Sequence, residues 1–348
     1  MTAEQTTATQ TPAAKRRDPW FDNAKMALVT LVVVGHMWTL LPDTALNGTL
    51  YDFLYLWHVP AFVMVTGYLS RSFTWSARNM RRLITTVALP YVVFEAALAL
   101  FRVHVGGEDL TVVRTDPHWP MWYLAVLFFW RLATPLLQRV RRPLALAMAL
   151  CLLGGLFSGD TLDWARAVGL LPFFVVGLIA RPEHLEILRR PTIRLVSVVA
   201  MLVALGAAIL LQGHLNTEWL YWRSSYGELD ASWETGFAMR TLLVTAGIGL
   251  SFAFFSLTPR RGGWFSLLGP ATLVVYLFHG FVLKGLEYSG LVTWAADHPE
   301  LSLLLATPGA VVIALVLAWP SVAKRLNMVV DPVGTLSRRS RRRVPHGA

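Results

Sequence analysis

Residues 301–320, LSLLLATPGAVVIALVLAWP, run for twenty positions without a charged side chain. At 1.5 Å per residue that is about 30 Å of helix, the thickness of a bilayer's hydrocarbon core. A helix on the surface of a soluble protein would show a polar face within every turn or two. Apolar runs of roughly 16–23 residues recur from one end of the chain to the other. Of the 348 residues, 55% are hydrophobic and 15% charged, where a soluble domain carries about 25% charged residues. This deficit is that of a protein dissolved in lipid.

Ten segments fit a crossing: Lys25–Leu41, Leu50–Leu69, Leu83–His104, Trp119–Leu137, Pro143–Phe157, Ala165–Ala180, Ile193–Gln212, Gly236–Thr258, Trp264–Leu283 and Leu301–Pro320. The expected fold class is all-α, a polytopic integral membrane protein of about ten transmembrane helices. The fifth and sixth segments are short, and a helical hairpin or a thin region would also suit them. Residues 1–17, rich in Thr, Ala, Gln and Pro, cannot bury a core and read as a disordered tail. Residues 18–325 make one membrane domain, and 326–348 a basic C-terminal tail. The single cysteine, Cys151, excludes an internal disulfide framework or a zinc-finger cluster.

Charge orients the segments. With the N-terminus in the cytoplasm, the cytoplasmic gaps hold Arg71, Arg78, Arg81 and Arg82, then Arg139, Arg141 and Arg142. Arg181, Arg189, Arg190 and Arg194 follow, then Arg260 and Arg261. Together with both tails, about 23 of the 31 basic residues fall inside. The opposite gaps are acidic, from Asp43 to Glu234, against Arg114, Arg223 and the border residue Lys284. Cytoplasmic Lys and Arg excess orients short-loop membrane proteins, so both termini are expected in the cytoplasm and the site of residence in the inner or plasma membrane. The net charge of +10 is then a topology signal with some attraction to lipid headgroups, and nucleic acid is not an expected partner.

Ionisable groups at bilayer depth cost a few kcal/mol each and face a cavity or the bundle interior. Lys25 and His36 are eleven residues apart, three helical turns, and so share one face of the first segment. Asp22 sits on that face too. Measured from the cytoplasmic end, His36, His58, Glu95 and Tyr276 all fall at about 16–18 Å, with His279 slightly farther out. Four segments thus place titratable groups in one layer. Arg131 lies nearer the cytoplasm, and Arg102 and Arg240 nearer the outer face, where snorkelling accounts for them. His58, two residues before Pro60, also has the simpler reading of satisfying a carbonyl freed by a kink. Glu95 in its apolar segment requires a partner.

Taken in order, Phe21-Asp22-Asn23-Ala24-Lys25 through Gly35-His36, Trp57-His58-Val59-Pro60, Thr66-Gly67-Tyr68-Leu69, Trp122-Tyr123-Leu124 with Arg131, and Tyr276-Leu277-Phe278-His279-Gly280 resemble the acyltransferase family 3 membrane proteins. The likeness is nearest to the fucose 4-O-acetylase-like and sugar O-acetyltransferase branch and runs from about Asp18 to Arg325. Lys25 and His36 match that family's motif of Arg or Lys, ten residues, then His; Arg78 and Arg81 match its Arg-x-x-Arg motif. The resemblance implies transfer of an acyl group, commonly acetyl from cytoplasmic acetyl-CoA, to a hydroxyl of a glycan or small molecule at the opposite face. It departs from members that carry an extracytoplasmic SGNH-type hydrolase domain, so a relay through a separate serine is not expected.

The residues suit that chemistry. A neutral His36 would take the proton of the attacking hydroxyl. Glu95 or His58 would fix its tautomer, as the acid does in a Ser-His-Asp arrangement. His279 or Tyr276 would contact the oxyanion or the acceptor hydroxyl. Arg78, Arg81 and Arg82 would hold the coenzyme A phosphates, with Lys25 and Arg131 along the route inward. No metal is expected. Two other classes compete: a proton-coupled transporter or exporter using the same intramembrane cluster, and a haem protein with His36, His58 and His279 as axial ligands.

Overall fold

A computed structural model describes residues 18–109, 120–157 and 163–330. The two tails, apart from 326–330, and the loop residues Arg114, Asp116 and Asp160 lie outside them. The described residues form helices joined by turns and loops, without a strand: α1 (Pro19–Trp38), α2 (Ala45–Tyr55), α3 (His58–Ser70), α4 (Ala77–Leu83), α5 (Leu89–His104), α6 (Trp122–Leu137), α7 (Pro143–Gly154), α8 (Trp164–Gly169) and α9 (Leu171–Ile179). The second half comprises α10 (Pro182–Ile187), α11 (Pro191–Leu210), α12 (Glu218–Tyr221), α13 (Trp233–Leu257), α14 (Trp264–Leu268), α15 (Thr272–Tyr288), α16 (Leu291–Asp297), α17 (Pro299–Ala318) and α18 (Pro320–Val330).

Among the described residues, six helical stretches are long and apolar enough to cross a membrane: Ala45–Ser70, Ala77–His104, Pro191–Leu210, Trp233–Leu257, Trp264–Tyr288 and Pro299–Ala318. Trp122–Leu137 and Pro143–Gly154 are shorter apolar helices. The remaining two of the ten expected segments behave differently, for physical reasons. α1 is 20 residues long, but Asp22, Asn23, Lys25 and His36 make it polar; it runs through the interior, with 14 of its residues buried. The sixth segment divides into α8 and α9, and residues 171–178 of α9 are all buried. A helix walled in by protein need not match the thickness of the lipid.

α9 reaches that position through two glycines. A Cβ on Gly67 of α3 would lie 2.0 Å from the Phe174 carbonyl oxygen, and one on Gly177 of α9 would lie 1.9 Å from that of Met64. Small residues at such crossings let membrane helices pack backbone to backbone. Two irregularities then shape the interior. Between α4 and α5, Ile84–Ala88 forms a π-helical turn just ahead of Pro90, whose nitrogen has no proton to donate. Between α2 and α3 the helix breaks at Trp57, ahead of Pro60. There the His58 imidazole donates from Nδ1 to the Leu54 carbonyl at 2.8 Å, replacing a bond the break removes.

Candidate active site

α1 carries one end of the bundle to the other. Its first turn is tied down by Asn23, whose amide donates to the carbonyls of Pro259 (2.8 Å) and Arg261 (3.1 Å). This end also holds Lys25 and the α4 arginines. At the far end, the Trp38 indole donates to Thr307 Oγ1 at 2.9 Å. The helix is thereby fixed in depth, and His36 with it.

Two cavities lie on either side of a layer of side chains, and His36 borders the second. The first, of about 420 Å³, lies at the arginine-rich end, with Lys25, Arg82 and Arg131 among polar groups such as Asn79, Ser72 and Thr86. Lys25 is ion-paired to Asp22 at 2.8 Å. The second, of about 280 Å³, opens at the other end between Thr39 and Arg223 and contains His36, His58, Tyr51, Tyr55 and Arg166. Phe62, Tyr123 and Tyr276 border both. The cavities are therefore back to back, sharing that layer of side chains.

The protonation of His36 follows from its neighbours. His279, fully buried on α15, has Nδ1 2.7 Å from the Tyr276 carbonyl and 3.2 Å from that of Val275. Carbonyls only accept, so Nδ1 carries the proton. In the neutral ring, Nε2 is then an acceptor, and it lies 2.9 Å from His36 Nδ1. His36 Nδ1 donates that bond, which leaves the lone pair on His36 Nε2, in a ring lining the second cavity. His58 reaches the same tautomer through Leu54. At the dividing layer, the Tyr123 hydroxyl is paired with Thr66 Oγ1, and Tyr276 donates to the Pro120 carbonyl at 2.5 Å.

A family model described as an acyltransferase domain matches residues 18–323. The chain belongs to acyltransferase family 3. No curated protein and no solved structure matches the chain. With its apolar helices, this makes the chain a multi-pass membrane acyltransferase.

Within this acyltransferase, the residues singled out in the sequence separate into groups. His36, His58 and Tyr276 border the second cavity; Lys25, Arg82, Arg131 and Tyr276 border the first. Arg78 and Arg81 are exposed on α4 outside both linings. The tautomer-fixing position expected of Glu95 or His58 is held by His279, because the α15 turn aims its ring at α1 while Glu95 projects from α5 outside both cavities. His279 in turn borders neither cavity, so it is not placed to contact an oxyanion or an acceptor. A porphyrin has no room between two imidazoles joined by a hydrogen bond, which removes His36 with His279 as an axial pair.

Three groups escaped the sequence reading. Tyr123 and Thr66 lay within the motif stretches but carried no assigned role. Arg166, in the second cavity, pairs with Asp163 at 2.7 Å and lies over the Trp122 ring at 4.9 Å. The same acid-to-base spacing of three that marks Asp22 and Lys25 was its available signal. Of the aromatics in residues 214–235, Tyr221 and Trp222 line the second cavity, while Trp219 and Tyr226 are packed elsewhere in the core and Trp233 is exposed.

Proposed function

We propose that the protein is an acyl-CoA-dependent O-acyltransferase working across the membrane, with acetyl as the group transferred. The acyl donor enters the arginine-rich cavity from the cytoplasm, and a hydroxyl of an extracytoplasmic glycan or small molecule enters the other. Both termini are then cytoplasmic. The observation that carries this reading is the pair of cavities back to back across Phe62, Tyr123 and Tyr276, with His36 in the lining of the second. Family membership favours acyl transfer over proton-coupled export.

Arg82, Arg131 and Lys25 supply the positive charge that suits the phosphates of coenzyme A. The thioester is drawn inward until its carbonyl reaches the layer of Tyr123 and Tyr276. His36 Nε2 removes the hydroxyl proton as the oxygen attacks the thioester carbon. The C–S bond then breaks, the new ester leaves on the acceptor, and the proton on Nε2 passes to the departing thiolate. His279 Nε2 accepts the hydrogen bond from His36 Nδ1 throughout and stabilises the imidazolium. Tyr123 is the better candidate for the oxyanion, since its hydroxyl needs only to turn from Thr66 to donate. Arg166, with Tyr51, Tyr55 and Tyr221, gives the acceptor a polar aromatic wall.

The test is labelled acetyl-CoA with a panel of glycosides and purified protein, wild type against His36→Ala. A general base contributes about 10²–10⁴-fold, so transfer is expected to fall by at least 10²-fold with acyl-CoA binding retained. Equal transfer by both proteins would remove His36 from the reaction.

A further inference from the structure

A third cavity belongs to neither half of the site just described. It lies between α11 and α13, floored by α2, with a volume of about 550 Å³. α11 contributes Ala200, Val203, Ala204, Ala207 and Ala208, spaced as one helical face and continued by Leu211 just past its end, and α13 contributes Leu243, Ala246 and Gly249. The short side chains of Ala200, Ala204, Ala207, Ala208 and Ala246, with Gly249, leave the space open. A Cβ at Gly249 would meet nothing within 4 Å. From Ala200 to Leu211 the groove runs about 16 Å along the helix axis. Its walls are nearly all hydrocarbon, and Asp52 and His214 are the polar residues that mark its outer end.

What can fill such a groove is limited by its surroundings. Only 6% of the apolar window of α11 is buried within the protein, and its mean hydropathy is 2.5. α11 therefore meets lipid, and a groove along it admits a hydrocarbon chain in preference to a water-soluble ligand. The groove also has a neighbour. Leu220 borders both it and the second cavity, and Asp52 follows Tyr51 of that cavity on α2. A chain in the groove would carry its head over Leu220 toward Tyr221, Arg166 and His36.

We infer that the acceptor is lipid-anchored, its hydroxyl-bearing head in the second cavity and its hydrocarbon chain in the α11–α13 groove. This rests on the acyltransfer reading and names the class of its acceptor. It also suits an enzyme that modifies a substrate without releasing it from the membrane.

The test uses protein in lipid nanodiscs with paired probes, each glycoside of a panel carrying either a methyl or a dodecyl aglycone, the dodecyl form also made with a chain-terminal diazirine. On irradiation, the diazirine is expected to label Val203, Ala207 or Ala246 in preference to Val199 and Leu202, which lie off the groove-lining face of α11. Gly249→Phe, which fills the groove without a backbone clash, is expected to abolish the groove labels and keep the others. In transfer assays the dodecyl-to-methyl ratio of kcat/KM is expected to be about 10 or more in wild type and to fall toward 1 in Gly249→Phe. Labelling spread evenly around α11, or a ratio unchanged by Gly249→Phe, would mean that bulk lipid alone occupies the groove and would overturn the proposal. Labelling is independent of catalysis, so groove labels without transfer to any probe would count against the acyltransfer reading alone.

Discussion

The proton on His279 Nδ1 is directed at backbone carbonyls, and that single constraint passes through Nε2 to set the tautomer of His36. A side chain that accepts at the same point should preserve the arrangement, and one that only fills space should not. His279→Gln is therefore expected to retain a measurable share of kcat, while His279→Leu loses about 10²-fold, with both variants equally stable. Equal losses in both would make His279 a packing residue. At this scale the sequence showed half of the arrangement. The eleven-residue spacing of Lys25 and His36 puts them on one face by helical geometry alone. The partner of His36 lies 243 residues away, and no local period can announce a contact made by the crossing of α1 and α15. Tyr123 was hidden for a similar reason: its place between two cavities is a property of the bundle.

Helices α3 and α9 meet through two glycines, and here local chemistry dictates the packing. With 1.9 Å between a Cβ at Gly177 and the Met64 oxygen, Gly177→Leu is expected to cost about 3 kcal/mol or more and to lower folded yield in detergent. Gly249→Ala, which meets open space, is expected to gain up to about 1 kcal/mol from helix propensity. Equal thermal midpoints for the two variants would refute the close approach. A second inter-helix device joins the C-terminal ends of α5 and α15. Glu108 accepts from Arg102 and Lys284 and pairs with Tyr288. The Arg102 guanidinium, more than Tyr288 or Lys284, holds the Glu108 carboxyl down at about 2 against partial burial, from an ordinary value of 4.5. A carboxylate with a depressed folded pKa stabilises fully above its unfolded pKa and loses that contribution as pH falls through the folded one. Wild type should thus exceed Glu108→Gln by about 1 kcal/mol, discounted for exposure, from pH 7 to about 5, and the gap should close toward pH 2. A gap that does not shrink on acidification would contradict this. Of such elements, the long apolar helices were plain in the sequence. The division of the short sixth segment into α8 and a buried α9 was not, because burial in protein relieves a helix of the length that lipid demands, and composition alone cannot tell the two settings apart.

For the molecule as a whole, the all-helical membrane architecture follows from the scarcity of charge, and the family from motifs spread over 18–323. What emerged only in three dimensions is that two cavities, one with Lys25, Arg82 and Arg131 and one with His36, share the wall of Phe62, Tyr123 and Tyr276. Phe62, Tyr123 and Tyr276 border both cavities, and under the proposed function this layer is where a thioester and a hydroxyl would meet. The most direct measurement is made in sealed liposomes with the protein inserted in one orientation. Labelled acetyl-CoA is supplied on the side of the arginine-rich end, and the glycoside panel only on the other. Acetylated glycoside is expected on the acceptor side, coenzyme A on the donor side, and neither with His36→Ala. Product formed only when donor and acceptor share one compartment would contradict transfer across the membrane.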